Sequence, residues 1–192
     1  MSFVQDYIDA LGESLKELLK QDIAGIADII FDAYKKGNQI FIMGNGGSAA
    51  SSSHFAEDLR LGRAVEGKPH VRATSLTDNV ALITALANDL DYASIFVQQM
   101  ADQLNKGDVV IGISASGNSP NVLQAIEYGN SLGAITIGFC GFGGGRLKEI
   151  THKSIVLSSS QYGQVEDAHL CLAHIVSHLV RRKIADTLPD NL

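Results

Sequence analysis

The chain has 192 residues, of which 45% are hydrophobic and 19% charged, the balance of a folded globular protein with a sizeable core. Its formal net charge of −6 excludes a general nucleic-acid binder, because affinity for a phosphate backbone needs clustered Lys and Arg. Local basic spots remain at Arg60, Arg63 and Arg72, while Arg181, Arg182 and Lys183 read as solvated surface. Cys140 and Cys171 make no disulfide framework and are expected to be small buried hydrophobes. No basic-then-apolar leader opens the chain and no apolar run reaches membrane-spanning length, so a cytoplasmic location is expected.

Apolar residues recur at helical spacing through Phe3, Ile8, Leu11, Leu15, Leu18 and Leu19, then through Ile23, Ile26, Ile29, Ile30 and Tyr34. Asp22 is placed to cap the second helix and Gly37 to stop it. The first helix is apolar enough to need a partner, yet it precedes the nucleus of the fold. It reads as an arm that packs on another subunit. Short continuous apolar runs follow at 39–43, 71–76, 108–113 and 134–140, with a weaker one at 154–157. Helical patterns alternate with them at 48–61, 79–88, 95–104, 121–132 and 164–186. Continuous apolar strands imply a sheet covered on both faces. The alternation implies parallel crossovers, and so a doubly wound parallel α/β sheet. Residues 1–192 are read as one domain, since neither a repeat nor a linker interrupts them.

Two strand-to-helix turns carry the chemistry of an anion site. The first is Gly44-Asn45-Gly46-Gly47-Ser48, whose glycines let backbone N–H groups approach an anion closely beside a helix start. The second is Ser114-Ala115-Ser116-Gly117-Asn118-Ser119-Pro120, where three hydroxyls and a helix N-terminus can surround a phosphate without Lys or Arg. Neither turn matches a P-loop or a dinucleotide fingerprint, so no nucleotide cofactor is expected. A third loop, 141–145, reads as a flexible turn into a short helix.

Two helices carry candidates for proton chemistry. His54 and Asp58 are four residues apart, on one helical face. Glu166 and His174 are eight apart, about two turns, and point broadly the same way. Two imidazoles and two carboxylates suit a divalent metal such as zinc, and equally an acid–base pair. His70, His152, His169 and His178 read as surface or core residues.

The runs Gly44-Asn45-Gly46-Gly47-Ser48-Ala49-Ala50, His54-Phe55-Ala56-Glu57-Asp58, Asn88-Asp89 and Ser116-Gly117-Asn118-Ser119 closely resemble the sugar isomerase (SIS) domain family. Within it the chain looks most like the phosphoheptose isomerase branch, from the N-terminal helices to the final helix. The resemblance implies a flavodoxin-like fold in a homotetramer, with residues 1–36 contributing to subunit packing. It implies interconversion of sedoheptulose 7-phosphate and D-glycero-D-manno-heptose 7-phosphate through an enediol. Phosphate contacts are then expected from Ser114, Ser116 and Ser119, and sugar contacts from Asn45, Gly46, Gly47, Ser48, Asn88 and Asp89. A divalent metal, zinc, is expected on His54, Asp58, Glu166 and His174, with the last three also catalytic.

Two of these positions depart from the family. Asp58 stands where the family has a catalytic glutamate, and a shift of about 1 Å can cost on the order of a hundredfold in rate. Glu166 stands where the family has a glutamine, so a zinc ion held by all four side chains would be formally neutral and polarise a carbonyl weakly. The family's arginine beyond the glutamate is displaced, with Arg60 and Arg63 flanking its place. These departures keep a second class open: a non-catalytic SIS module that senses a sugar phosphate, or a tetrameric adaptor of the replication-initiator-binding type.

Overall fold

In the computed structural model, which describes residues 2–62 and 65–187, five parallel strands form one sheet in the order β2-β1-β3-β4-β5. The strands are β1 Ile40–Gly44, β2 Ala73–Ser75, β3 Val109–Ser114, β4 Ile135–Cys140 and β5 Lys153–Val156. The helices are α1 Phe3–Glu17, α2 Ile23–Lys36, α3 Gly47–Glu57, α4 Val80–Asp89, α5 Ile95–Met100, α6 Pro120–Ser131, α7 Gly145–Ile150 and α8 Tyr162–Ala185.

Successive strand side chains point to opposite faces, and that alternation builds two cores. Ile40, Ile42, Val109, Ile111, Ile113, Ile137 and Phe139 pack with α2, α3 and α8. Phe41, Met43, Val110 and Cys140 face the other way, against α5, α6 and α7. Burying each large side chain contributes about 1.5–3 kcal/mol, which is why these runs are apolar throughout rather than alternating. The strand order reverses between β1 and β3, so the helices that follow them leave to opposite faces and open a crevice at the strand ends. Ligands of such sheets bind there.

Several local expectations hold. The Asp22 side chain accepts from Gly25 N at 2.9 Å, and Gly37 ends α2 in the left-handed conformation at φ 69°. Others need correction. The run at 71–76 contributes only three strand residues, because its sequence meets just one neighbour at the sheet edge. The helical pattern at 95–104 stops at Met100. The pattern at 48–61 is α-helical only to Glu57 and continues as a π-helical turn, Asp58–Gly62. Cys140 is buried, but Cys171 is only half-buried.

Independently of any subunit packing, α1 also contacts its own chain. Tyr7 Oη donates to Asp167 Oδ2 at 3.0 Å, and the Glu17 carboxylate accepts from Ser158 N at 2.8 Å. One side of α1 is therefore docked on its own chain, while Phe3, Val4 and Ile8 remain exposed.

His169 on α8 is fully buried, with its ring centroid 6.2 Å from that of Phe139, and neither ring nitrogen has a hydrogen-bond partner. Desolvation pushes its pKa down to about 4, opposed only by the nearby Cys140 carbonyl. The imidazole is thus a neutral core residue.

Candidate active site

The two expected turns meet at the crevice between β1 and β3. Asn45, Ser48, Ser114, Ser116, Ser119, Tyr162 and Glu166 line one cleft there. Ser114 Oγ and Ser119 Oγ lie 3.0 Å apart. Neither α3, begun at Gly46, nor α6, begun at Ser119, has a side-chain cap. In α6, Pro120 has no N–H and Val122 N donates to Asn121 Oδ1 at 3.0 Å, so the serine hydroxyls and the positive end of the helix dipole remain for an anion.

The third loop supports this turn from below. Leu147 N donates to the Gly117 carbonyl at 2.9 Å, and Arg146 N donates to Asn118 Oδ1 at 3.0 Å. A Cβ at Gly117 would collide with the Gly144 carbonyl, so glycine is required there for the contact as well as for its φ of 65°. Residues 141–145 do turn into a short helix, α7.

α3 and α8 run side by side on one face of the sheet, and a second constellation lies further along them. His54 Nε2 and His174 Nε2 are 3.1 Å apart. Asp58 Oδ2 lies 3.8 Å from the first and 3.6 Å from the second. The Asp58 side chain is only 6% exposed and approaches Ser177 Oγ at 3.5 Å, whereas the imidazoles are 45% and 39% exposed. A fixed carboxylate thus stands behind two imidazoles that remain open to a ligand.

The family model of the SIS domain matches residues 5–141. Over 170 residues, 88% of each chain, the sequence is 37% identical to the phosphoheptose isomerase of Aquifex aeolicus. It is 35% identical over 184 residues to that of Akkermansia muciniphila, covering 95% of this chain and 97% of the relative. The chain belongs to the SIS domain family. Within it, these similarities put the chain on the phosphoheptose isomerase branch. The solved structure of a phosphoheptose isomerase from Francisella tularensis agrees, with a TM-score of 0.84 at 25% identity over 95% of this chain and 100% of the other.

Of the four metal-ligand candidates in this SIS domain, three converge: His54, Asp58 and His174 can each offer an atom to one ion. Ligands about 2.0–2.2 Å from a tetrahedral zinc ion are about 3.3–3.6 Å from one another. The separations of 3.1, 3.6 and 3.8 Å straddle that range, so the donor set fits. If all three bound one zinc ion they would leave one of its four positions to a further ligand, the pattern of catalytic rather than structural sites.

Glu166 is not part of that group. Eight residues of α8 separate it from His174, about 12 Å of helix rise. Its carboxylate packs instead against Gly47 at the start of α3, where a Cβ would overlap it. The α3 dipole favours a negative charge at that spot. The formal neutrality feared for a four-ligand site therefore does not arise from the three that converge.

Asn88 and Asp89 sit at the exposed end of α4, bonded to each other at 2.8 Å and outside the cleft lining. Tyr92, just beyond them, does reach the site, donating to Asn45 Oδ1 at 3.0 Å. Tyr92, Asn121, Tyr162 and Ser177 were not singled out from sequence. Asn121 had one sequence signal, an amide immediately after the serine turn; its burial in the first turn of α6 is visible only in the fold. The π-helical turn begins at Asp58, and such turns concentrate at functional sites. Arg60 belongs to it and lines a neighbouring groove with Glu57 and Asp78. Arg63 lies outside the described residues.

Proposed function

We infer that the chain interconverts sedoheptulose 7-phosphate and D-glycero-D-manno-heptose 7-phosphate, an aldose–ketose isomerisation through an enediol. The observation that carries this reading is that α3 and α8, which give Ser48, Tyr162 and Glu166 to the serine cleft, also carry the His54–Asp58–His174 cluster further along. Glu166 in the cleft and His174 in the cluster are about 12 Å apart along α8, comparable to the length of an extended heptose phosphate. Such a substrate reaches from an anion site to a proton-transfer site.

Ser114, Ser116 and Ser119 would hold the phosphate, with the positive end of the α6 dipole behind it. Asn45, Gly46, Gly47 and Ser48 would contact the sugar chain, with Asn88 and Asp89 approaching from the end of α4. That leaves the carbonyl end beside the cluster. Asp58 takes the proton from the carbon next to the carbonyl, giving a cis-enediol, and returns it to the neighbouring carbon. His174 carries the second proton between the two oxygens. Glu166, at the phosphate end, accepts hydrogen bonds from substrate hydroxyls rather than serving as the fourth ligand. His54, Asp58 and His174 would hold a divalent metal, zinc by the chemistry of the donor set. When bound, it supplies Lewis-acid stabilisation of negative charge on the reacting oxygens.

Wild-type protein is expected to equilibrate the two heptose phosphates, read by NMR of the sugar carbons. Replacing both Ser116 and Ser119 with Ala is expected to weaken sugar-phosphate binding at least roughly tenfold, since hydrogen bonds to a charged group contribute about 1.5–3 kcal/mol each. Calorimetry showing unchanged affinity in the folded variant would sink the phosphate assignment.

The reading extends to assembly. α4 has an apolar sequence but no buried residue, with Val80 68% exposed, and Phe3 on α1 is 80% exposed. We take residues 1–192 as one domain whose α1 and α4 faces close a homotetramer around partly open imidazoles. Light scattering is expected to give four chains at micromolar concentration; a stable monomer would remove the proposal. Among the described residues no helix is long and apolar enough to cross a membrane, and a cytoplasmic enzyme is the location proposed.

A further inference from the structure

The orientation of the Asn45 amide can be deduced atom by atom. The backbone N–H of Val122 can only donate, and it points at Asn121 Oδ1 over 3.0 Å. That atom is therefore the oxygen, which makes the other end of Asn121 the donor. Asn121 Nδ2 then donates to Asn45 Oδ1 at 2.9 Å, and Asn45 Nδ2 donates back to Asn121 Oδ1 at 2.9 Å. Tyr92 Oη donates a second bond to Asn45 Oδ1 at 3.0 Å. Both acceptor sites of the Asn45 oxygen are thereby occupied, while its amide nitrogen has spent one of two protons.

We propose that Tyr92 and Asn121 are positioning residues that lock Asn45 so that its remaining N–H is offered to an oxygen of the substrate. The lock spans three separate segments. Asn45 follows β1, Asn121 lies in the first turn of α6 with 1% exposure, and Tyr92 follows α4. It closes the β1–β3 crevice with the donor end of Asn45 free, in the same cleft as Ser114, Ser116 and Ser119. An amide free to flip would offer either end. A locked one selects a hydrogen-bond acceptor, namely a phosphate, carbonyl or hydroxyl oxygen, and rejects a group that can only donate. Tyr92 also ties to this donor the segment that carries Asn88 and Asp89.

The inference rests on the isomerase reading for its substrate but is tested apart from it. Tyr92 is 55% exposed, so Tyr92→Phe removes the hydroxyl without opening the core. Its melting temperature is expected to match wild type, while kcat/KM for sedoheptulose 7-phosphate falls roughly fivefold to tenfold, the worth of one hydrogen bond. In an Asn45→Ala background the same change is expected to cost less than about twofold, because the group through which Tyr92 acts is gone. Full activity in Tyr92→Phe, or an equal loss in both backgrounds, would overturn the proposal. A purely structural Tyr92 would instead shift the melting temperature in both. Should wild-type protein turn over no heptose phosphate, the functional reading falls by itself. The lock is then decided by the side-chain amide of Asn45 in the ligand-free protein, followed by nitrogen-15 NMR. Its two proton shifts are expected to change in Tyr92→Phe, and unchanged shifts would overturn the lock.

Discussion

Replacing His54 or His174 with alanine is expected to strip the protein of bound metal and to lower isomerisation of sedoheptulose 7-phosphate by about a thousandfold. That size is set by the usual worth of a positioned acid–base group, about a hundredfold to ten-thousandfold. The two imidazole nitrogens are 3.1 Å apart and share Asp58 as neighbour, so removing either leaves too few ligands to hold an ion. Elemental analysis of protein purified without chelators reads metal content independently of rate. Glu166→Gln is expected to keep the full metal content, since that carboxylate lies against Gly47 and outside the cluster. Loss of metal in Glu166→Gln would make it a fourth ligand after all. Undiminished metal in His174→Ala would remove the site altogether.

The second large effect is on stability in acid. His169 titrates at about 4 in the folded chain against 6.5 as its ordinary value. Between those two pH values the unfolded chain binds a proton that the folded chain refuses. Unfolding is therefore favoured as pH falls through this window, and the contribution is flat above 6.5 and below about 4. A shift of this size corresponds to about 3 kcal/mol of stability lost between pH 6.5 and 4. His169→Leu fills a similar volume and removes two buried, unpaired ring nitrogens. Its urea midpoint is expected to match or exceed that of wild type at pH 7. Across the window, its stability is expected to fall about 3 kcal/mol less than that of wild type. Parallel pH profiles for the two proteins would show that His169 is not held neutral.

The sequence by itself determined the turns and the pairing of His54 with Asp58, though not that of Glu166 with His174. Hydroxyls and glycines directly after an apolar strand are placed at a strand end, because backbone geometry over five or six residues is local. The four-residue spacing of His54 and Asp58 likewise guarantees a shared face. The doubly wound sheet was legible for the same reason, since strand and helix periods are written in neighbouring residues.

Only the tertiary structure decided which distant groups meet. Nothing local says that α8 lies beside α3, yet that packing alone brings His174 to His54 and Asp58. Nor does spacing along α8 reveal that Glu166 turns to the start of α3, where a missing Cβ at Gly47 makes room and the helix dipole favours its charge. The Asn45–Asn121–Tyr92 lock was illegible because its partners are 76 and 47 residues from Asn45. Hydrogen bonds of that span exist only after the crevice between β1 and β3 has closed. Residues near in sequence declare their geometry through helix and strand periods, whereas residues far apart declare it only through the packing that joins them.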